Sequence, residues 1–147
     1  MQVREMKAGD LSAIAQLSAE LGYPVEASDL RSRFEALERD QSGALLVAEV
    51  SPGQIAGWIH VGGEWTLTSG ALAEIRGLVV ARGHRRKGAG RKLVTGAEEW
   101  SRRQGYRSIR VRTRIARQDA HSFYRACGYE LEKTQHVFSR ELTDAAG

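Results

Sequence analysis

The chain has one cysteine, Cys127, in 147 residues. An intramolecular disulfide is therefore excluded, and a cysteine-based zinc site is disfavoured. No apolar run approaches the ~20 residues that a membrane-spanning helix needs. Met1 to Asp10 carry charges of both signs and lack the apolar stretch of a secretory signal. A cytoplasmic location is the resulting expectation. Internal repeats and low-complexity tracts are absent too. The length suits one core, so a single domain over residues 1–147 is expected. Hydrophobic residues make up 41% and charged residues 27%, which excludes fibrous and disordered classes.

Acidic residues are scarce in one stretch. Between Arg82 and Arg117, thirteen Lys or Arg residues face only Glu98 and Glu99, although the whole chain carries a net charge of only +4. Such an asymmetry creates a local positive field that attracts an anion. Nucleic acid and a phosphorylated small molecule both fit, and so does an ordinary solvated basic face.

The hydrophobic pattern orders the chain around that stretch. Val3 to Met6 reads as an opening strand. Leu11, Ile14, Leu17 and Leu21 line one face of a helix capped by Asp10 and stopped by Gly22 and Pro24. Ser28 or Asp29 caps a second helix to about Arg39, with Leu30, Phe34 and Leu37 inward. Ala44 to Val50 and Ile55 to Val61 form a hairpin around Ser51-Pro52-Gly53-Gln54. Trp65 to Gly70 reads as a loop and Ala71 to Val80 as a third strand. A helix from about Ala89 to Gln104 buries Leu93, Val94, Ala97 and Trp100. Ile109, Val111, Thr113 and Ile115 alternate with Arg110, Arg112 and Arg114, a strand with one basic face. Asp119 to Cys127 is a short helix. Glu130 to Thr134 and Val137 to Leu142 read as closing strands. Strand, glycine loop, helix, strand at the centre implies one parallel pair in a mixed, mostly antiparallel α/β sheet.

The informative residues are Arg85-Arg86-Lys87-Gly88-Ala89-Gly90, between a strand and a helix. Glycines let backbone N–H groups approach an anion. The helix N-terminus adds unpaired N–H donors and a positive dipole end. Three cationic side chains complete a pyrophosphate site. A nucleotide P-loop counted from Gly83 reaches Gly88, but Ala89 and Gly90 stand where Lys and Ser or Thr are required. A dinucleotide fingerprint needs a third glycine where Leu93 stands.

Leu78-Val79-Val80, followed by Arg85-x-x-Gly88-x-Gly90 and Arg91, resembles the cofactor motif of the GNAT superfamily of N-acetyltransferases. A second family motif, Ala-x-x-Phe-Tyr-x-x-x-Gly-Tyr, is matched by Ala120 to Tyr129. The resemblance covers essentially the whole chain. It implies a GNAT-type mixed sheet of six to seven strands, about four flanking helices and a central splayed parallel pair. It also implies acetyl-CoA as co-substrate, no metal and a primary amine as acceptor. Direct attack in a ternary complex would follow. Many members carry Asn seven positions before the motif tyrosine. Here that position is Arg117, as in a subset that includes aminoglycoside acetyltransferase-like members, so the Asn role does not transfer. Family members often dimerise, so the resemblance allows a homodimer.

The same resemblance assigns roles. Leu78, Val79 and Val80 supply backbone groups for the pantetheine arm and an N–H for the thioester carbonyl. Arg85, Arg86, Lys87, Gly88, Ala89, Gly90 and Arg91 take the pyrophosphate. Tyr124 corresponds to the general acid that protonates the departing thiolate, or to a tyrosine packed on the sulfur. Glu74 is the candidate base for an ammonium that must lose a proton before attack, or a carboxylate that binds a cationic acceptor. Four residues before Leu78, it is expected on the same strand face. Trp58, Trp65, Tyr23 and Phe34 are candidates for the acceptor pocket. His84 and His121 lack a metal partner at ligand spacing, and Cys127 reads as a small buried hydrophobe. Two rivals remain at this stage: a cofactor-binding sensor of the same fold without turnover, and a basic nucleic-acid binder, for which no recognition motif is present.

Overall fold

A computed structural model describes residues 1–143. The chain divides into two compact units, Met1–Arg114 and the remainder from Ile115. The first unit holds a five-stranded sheet in sequential order: β1 (Gln2–Glu5), β2 (Gly43–Ser51), β3 (Gln54–Thr66), β4 (Gly70–Val80) and β5 (Ile109–Val111). All pairs are antiparallel except β4–β5. Its helices are α1 (Leu11–Glu20), α2 (Ala27–Arg39) and α3 (Ala89–Arg103). The second unit contains α4 (Gln118–Ala126).

The core of the first unit forms where the two periods meet. α3 buries Ala89, Leu93, Val94, Ala97 and Ser101 against β2, β3 and β4. Close approach depends on Gly57: a Cβ there would lie 2.4 Å from the Val79 carbonyl oxygen and 3.3 Å from Leu93 Cδ1. α1 and α2 pack on β3 and β2, burying Leu11, Ile14, Leu17 and Phe34.

Local readings change where tertiary partners intervene. Asp10 makes no cap bond to α1. Its carboxylate instead accepts 2.8 Å hydrogen bonds from Arg4 Nη1 and Nη2 and from the Lys7 N–H. Arg4 also bonds Glu49, so the three side chains tie β1 to β2 and to the start of α1. Ser28 and Asp29 lie inside α2, which begins after Glu26. β3 continues through Gly62-Gly63 to Thr66, because those glycines make room: a Cβ on Gly63 would overlap the Tyr106 hydroxyl.

The sheet has fewer strands than the sequence pattern suggests. The expected strands at 130–134 and 137–142 find no ladder partner among the described residues. Leu131, Val137 and Phe138 are 75%, 86% and 92% exposed. Alternation marks strand propensity, but a strand exists only through its ladder. β5 likewise stops at Val111, leaving Thr113 and Ile115 outside it.

Packing around α3 generates a stability prediction. Leu93→Ala empties a fully buried site and should cost about 3 kcal/mol. Gly57→Ala overpacks the facing strand and should cost about 2 kcal/mol. Urea unfolding measures both, and an unchanged midpoint in either variant contradicts the packing described.

Candidate active site

The β4–β5 ladder has three pairs, Ala73↔Ile109, Glu74↔Arg110 and Ile75↔Val111. β4 itself runs on to Val80. A register irregularity explains the divergence. Ile75 faces Val61 and Gly77 faces His60, so Arg76 is an extra residue on β4. A bulge bends its strand and increases the twist, and pairing with β5 ends at this point. Leu78, Val79 and Val80 pair only with β3, opposite Ile59, Trp58 and Gly57. All three are half-buried rather than core residues.

The bulge also corrects the face expected for Glu74. Directly paired residues share a face. Ile59 lies on the same face as Gly57, toward α3, and Leu78 pairs with Ile59. Glu74 pairs with Gly62, on the opposite face. Plain period-two alternation from Leu78 back to Glu74 fails because Arg76 inserts one residue.

The chain leaves β4 through a short 3-10 turn, Arg82–His84, and enters the basic loop. Arg85 donates from Nε to the Val80 carbonyl at 3.4 Å. Arg86 has φ 63°, the only left-handed non-glycine among the described residues. Gly88 follows with φ 88° as the N-cap of α3. Left-handed backbone at a non-glycine is costly and clusters where a turn has a task. Here it precedes the first turn of α3, whose N–H groups lack intrahelical acceptors. Residues 85–88 are exposed, Ala89 is buried and Gly90 half-buried. This loop and the unpaired side of β4 are consecutive in the chain and share the Val80 carbonyl as a joint. Beside α3, an open groove of about 620 Å³ is lined by Arg4, Arg91, Lys92, Gly96 and Arg103 among others, but by no residue of β4.

Near Glu74 lie Arg110, which the sequence pattern places only on a basic strand face, and Glu64, which it does not single out. Arg110 Nε donates to Glu74 Oε2 at 2.6 Å, and Arg110 Nη2 donates to Glu64 Oε2. Glu64 is two residues beyond Gly62 on β3 and thus shares the face of Glu74. The side chains of Glu74 and Arg110 are largely enclosed, 13% and 22% exposed, whereas that of Glu64 is 37% exposed. The Glu64 carboxyl is held below its ordinary value, first by its hydrogen bond with Glu74 and then by the Arg110 and Arg112 charges. Arg110 is raised, chiefly by Glu74. Extending the alternation of β3 past its two glycines would have found Glu64.

In the second unit, Tyr124 is buried on α4. Its ring meets Phe123 and Tyr129 edge-on, with centroids 5.0 Å and 5.7 Å away. Burial pushes its phenol up to about 12, Cys127 adds to the rise and Arg117 opposes it. Arg117 pairs with Asp119 at 3.1 Å in the first turn of α4. Of the aromatic candidates, Phe34 is core, Trp58 lies against Gly77, and Tyr23 and Trp65 are 74% and 77% exposed; they do not form one cluster. His84 and His121 are half-buried. No metal-binding group of His, Cys, Asp and Glu occurs among the described residues. No described helix is long and apolar enough to cross a membrane.

Comparison with known proteins identifies the family. The acetyltransferase (GNAT) family profile matches residues 10–129. The chain belongs to that family, and its reaction is acetyl transfer from acetyl-CoA to an amine. An aminoglycoside N(6')-acetyltransferase type 1 from Stenotrophomonas maltophilia is 27% identical over 98% of this chain and 95% of its own length. A protein described as a transcriptional regulator from Bacillus halodurans C-125 superposes with TM-score 0.81 at 26% identity, over 93% of this chain and 99% of its own. AAC(6')-Iy in complex with the bisubstrate analog CoA-S-monomethyl-acetylneamine superposes with TM-score 0.82 at 18% identity, over 97% of this chain and 98% of its own.

The tyrosine gives a pH prediction. The folded value of Tyr124, about 12, lies above the ordinary 10.0, so folding favours the protonated phenol. That contribution is complete below pH ~10 and is lost as the pH rises through the folded value. Absorbance titration should show one tyrosine ionising near pH 12 that disappears in Tyr124→Phe. A wild-type curve identical to that of the variant beyond pH 11 contradicts the burial described.

Proposed function

We propose that this chain, acting as one N-acetyltransferase domain over residues 1–147, acetylates a primary amine on a cationic small molecule of the aminoglycoside kind. The observation that carries the cofactor half is the open side of β4 beyond Ile75, running directly into the left-handed turn at Arg86 and Gly88. In this reading the backbone of Leu78, Val79 and Val80 takes the pantetheine arm, as an extended chain added to a sheet edge would be held. Arg85 to Arg91 take the pyrophosphate at the N-terminus of α3. The acceptor class rests on the similarity to the Stenotrophomonas aminoglycoside enzyme and on the carboxylates at Glu64 and Glu74. The lone Cys127 supports a cytoplasmic location.

The amine attacks the thioester carbon directly. A bond forms from nitrogen to the acetyl carbon, the carbon–sulfur bond breaks, and the electron pair leaves on the CoA sulfur. Glu74 receives the amine proton, directly or through water. Tyr124 takes its role from the family motif. In this reading its hydroxyl donates to the departing thiolate.

Thermal unfolding with acetyl-CoA tests the cofactor site. At 100 times its dissociation constant the ligand adds ~2.7 kcal/mol, so the melting temperature should rise clearly. Arg86→Gly relieves the left-handed strain but removes a cation. It should leave the unliganded melting temperature no lower and weaken acetyl-CoA binding roughly tenfold. No shift at millimolar acetyl-CoA would contradict the site.

Turnover supplies a second test. Tyr124→Phe should lower kcat by roughly 10- to 100-fold with little change in acetyl-CoA affinity, since one hydrogen bond to a charged sulfur is lost. Unchanged turnover would remove Tyr124 from the mechanism.

A further inference from the structure

We propose that Arg110 is a positioning residue for Glu74: by bridging Glu74 and Glu64 it holds a positive charge between the two carboxylates and fixes the one that meets the acceptor's amine. This inference rests on the reading of Glu74 given above and names the residues that make it work.

The arrangement follows from the sheet. Glu74 and Arg110 face each other across the three-pair parallel ladder. Glu64 reaches the same place from β3, along the face on which Gly62 opposes Glu74. Gly62 carries no side chain, so nothing from β3 covers Glu74 at its own pairing position. Arg110 supplies one hydrogen bond to each carboxylate from a single planar guanidinium. Its stem starts on a strand held at Glu74's level, and its fork geometry suits two oxygen acceptors at once.

Glu64 and Glu74 bond the same guanidinium and lie close enough to influence each other. Two like charges this close share a proton unless a cation intervenes. Arg110 is that cation. Among the described residues Arg112 adds its charge from beyond β5. Arg76 turns instead over Gly62, donating to the Gly63 carbonyl at 3.0 Å. Without Arg110 the pair would take up a proton at a higher pH, and a carboxylic acid accepts no proton from an ammonium.

The test needs a readout of ionisation and a readout of rate. Carboxyl-labelled glutamate (13Cδ) followed by NMR titration reports the pair in the unliganded protein, with Glu64→Gln and Glu74→Gln assigning its signals. Arg110→Gln should move the upper of the pair's two steps upward by about one pH unit. Arg110→Lys, which keeps the charge, should reverse most of that shift. The acidic limb of kcat/KM with kanamycin as acceptor should move upward by the same amount in Arg110→Gln. An unmoved NMR step in a folded Arg110→Gln protein overturns the positioning role. A moved NMR step with an acidic limb that persists unchanged in both Arg110→Gln and Glu74→Gln overturns instead the reading of Glu74 as the proton acceptor.

Discussion

The site depends on a single extra residue in a strand. Arg76 bulges from β4 between Ile75 and Gly77, and the parallel ladder with β5 ends beside it. Before the bulge, β4 is a central strand with partners on both sides. After it, the same strand offers one side of its backbone at Leu78 to Val80. An extended ligand arm with amide groups can use that side as another strand would. The bulge also separates two tasks by face. Glu74, before it, faces away from α3. Leu78, after it, faces α3, so the residues that would receive the acceptor and those that would hold the cofactor need not compete for one surface.

Charge is arranged around the same discontinuity. Downstream of β4, the chain turns through Arg85, Arg86 and Lys87 into the N-terminus of α3, where cations, helix dipole and unpaired N–H groups would act together on an anion. Upstream, Glu64 and Glu74 share the guanidinium of Arg110, an acidic pair on one cation. A neutral thioester arm would lie between a positive end and a negative end. Electrostatic preorganisation of this kind requires no rearrangement when charge develops. The left-handed backbone at Arg86 is the local cost of bringing the loop back toward α3.

Much of this is legible in the sequence alone. The glycine-containing basic loop, the amphipathic face of α3 and the Ala120 to Tyr129 motif are local patterns, and local patterns survive folding. The helices α1 and α2 were readable for the same reason, though Asp10 was not: its side chain prefers a distant guanidinium to the helix it adjoins. What was hidden depends on pairing. Nothing in the sequence of β4 marks Arg76 as a bulge, so alternation placed Glu74 on the wrong face. Gly62-Gly63 looked like the end of a strand, whereas each accommodates a neighbouring side chain, and Glu64 was lost behind them. The alternation of residues 130–142 is real, yet those residues have no ladder partner among the described ones.

Backbone amide hydrogen exchange with and without acetyl-CoA tests the central claim most directly. It asks whether the unpaired side of β4 and the Arg86 turn together hold the cofactor. Bound acetyl-CoA should slow exchange at amides within Leu78–Val80 and across 86–91, with β1 and β2 unchanged. Protection confined to the groove between β1 and α3, or absent from Leu78–Val80 under saturating acetyl-CoA, would contradict it.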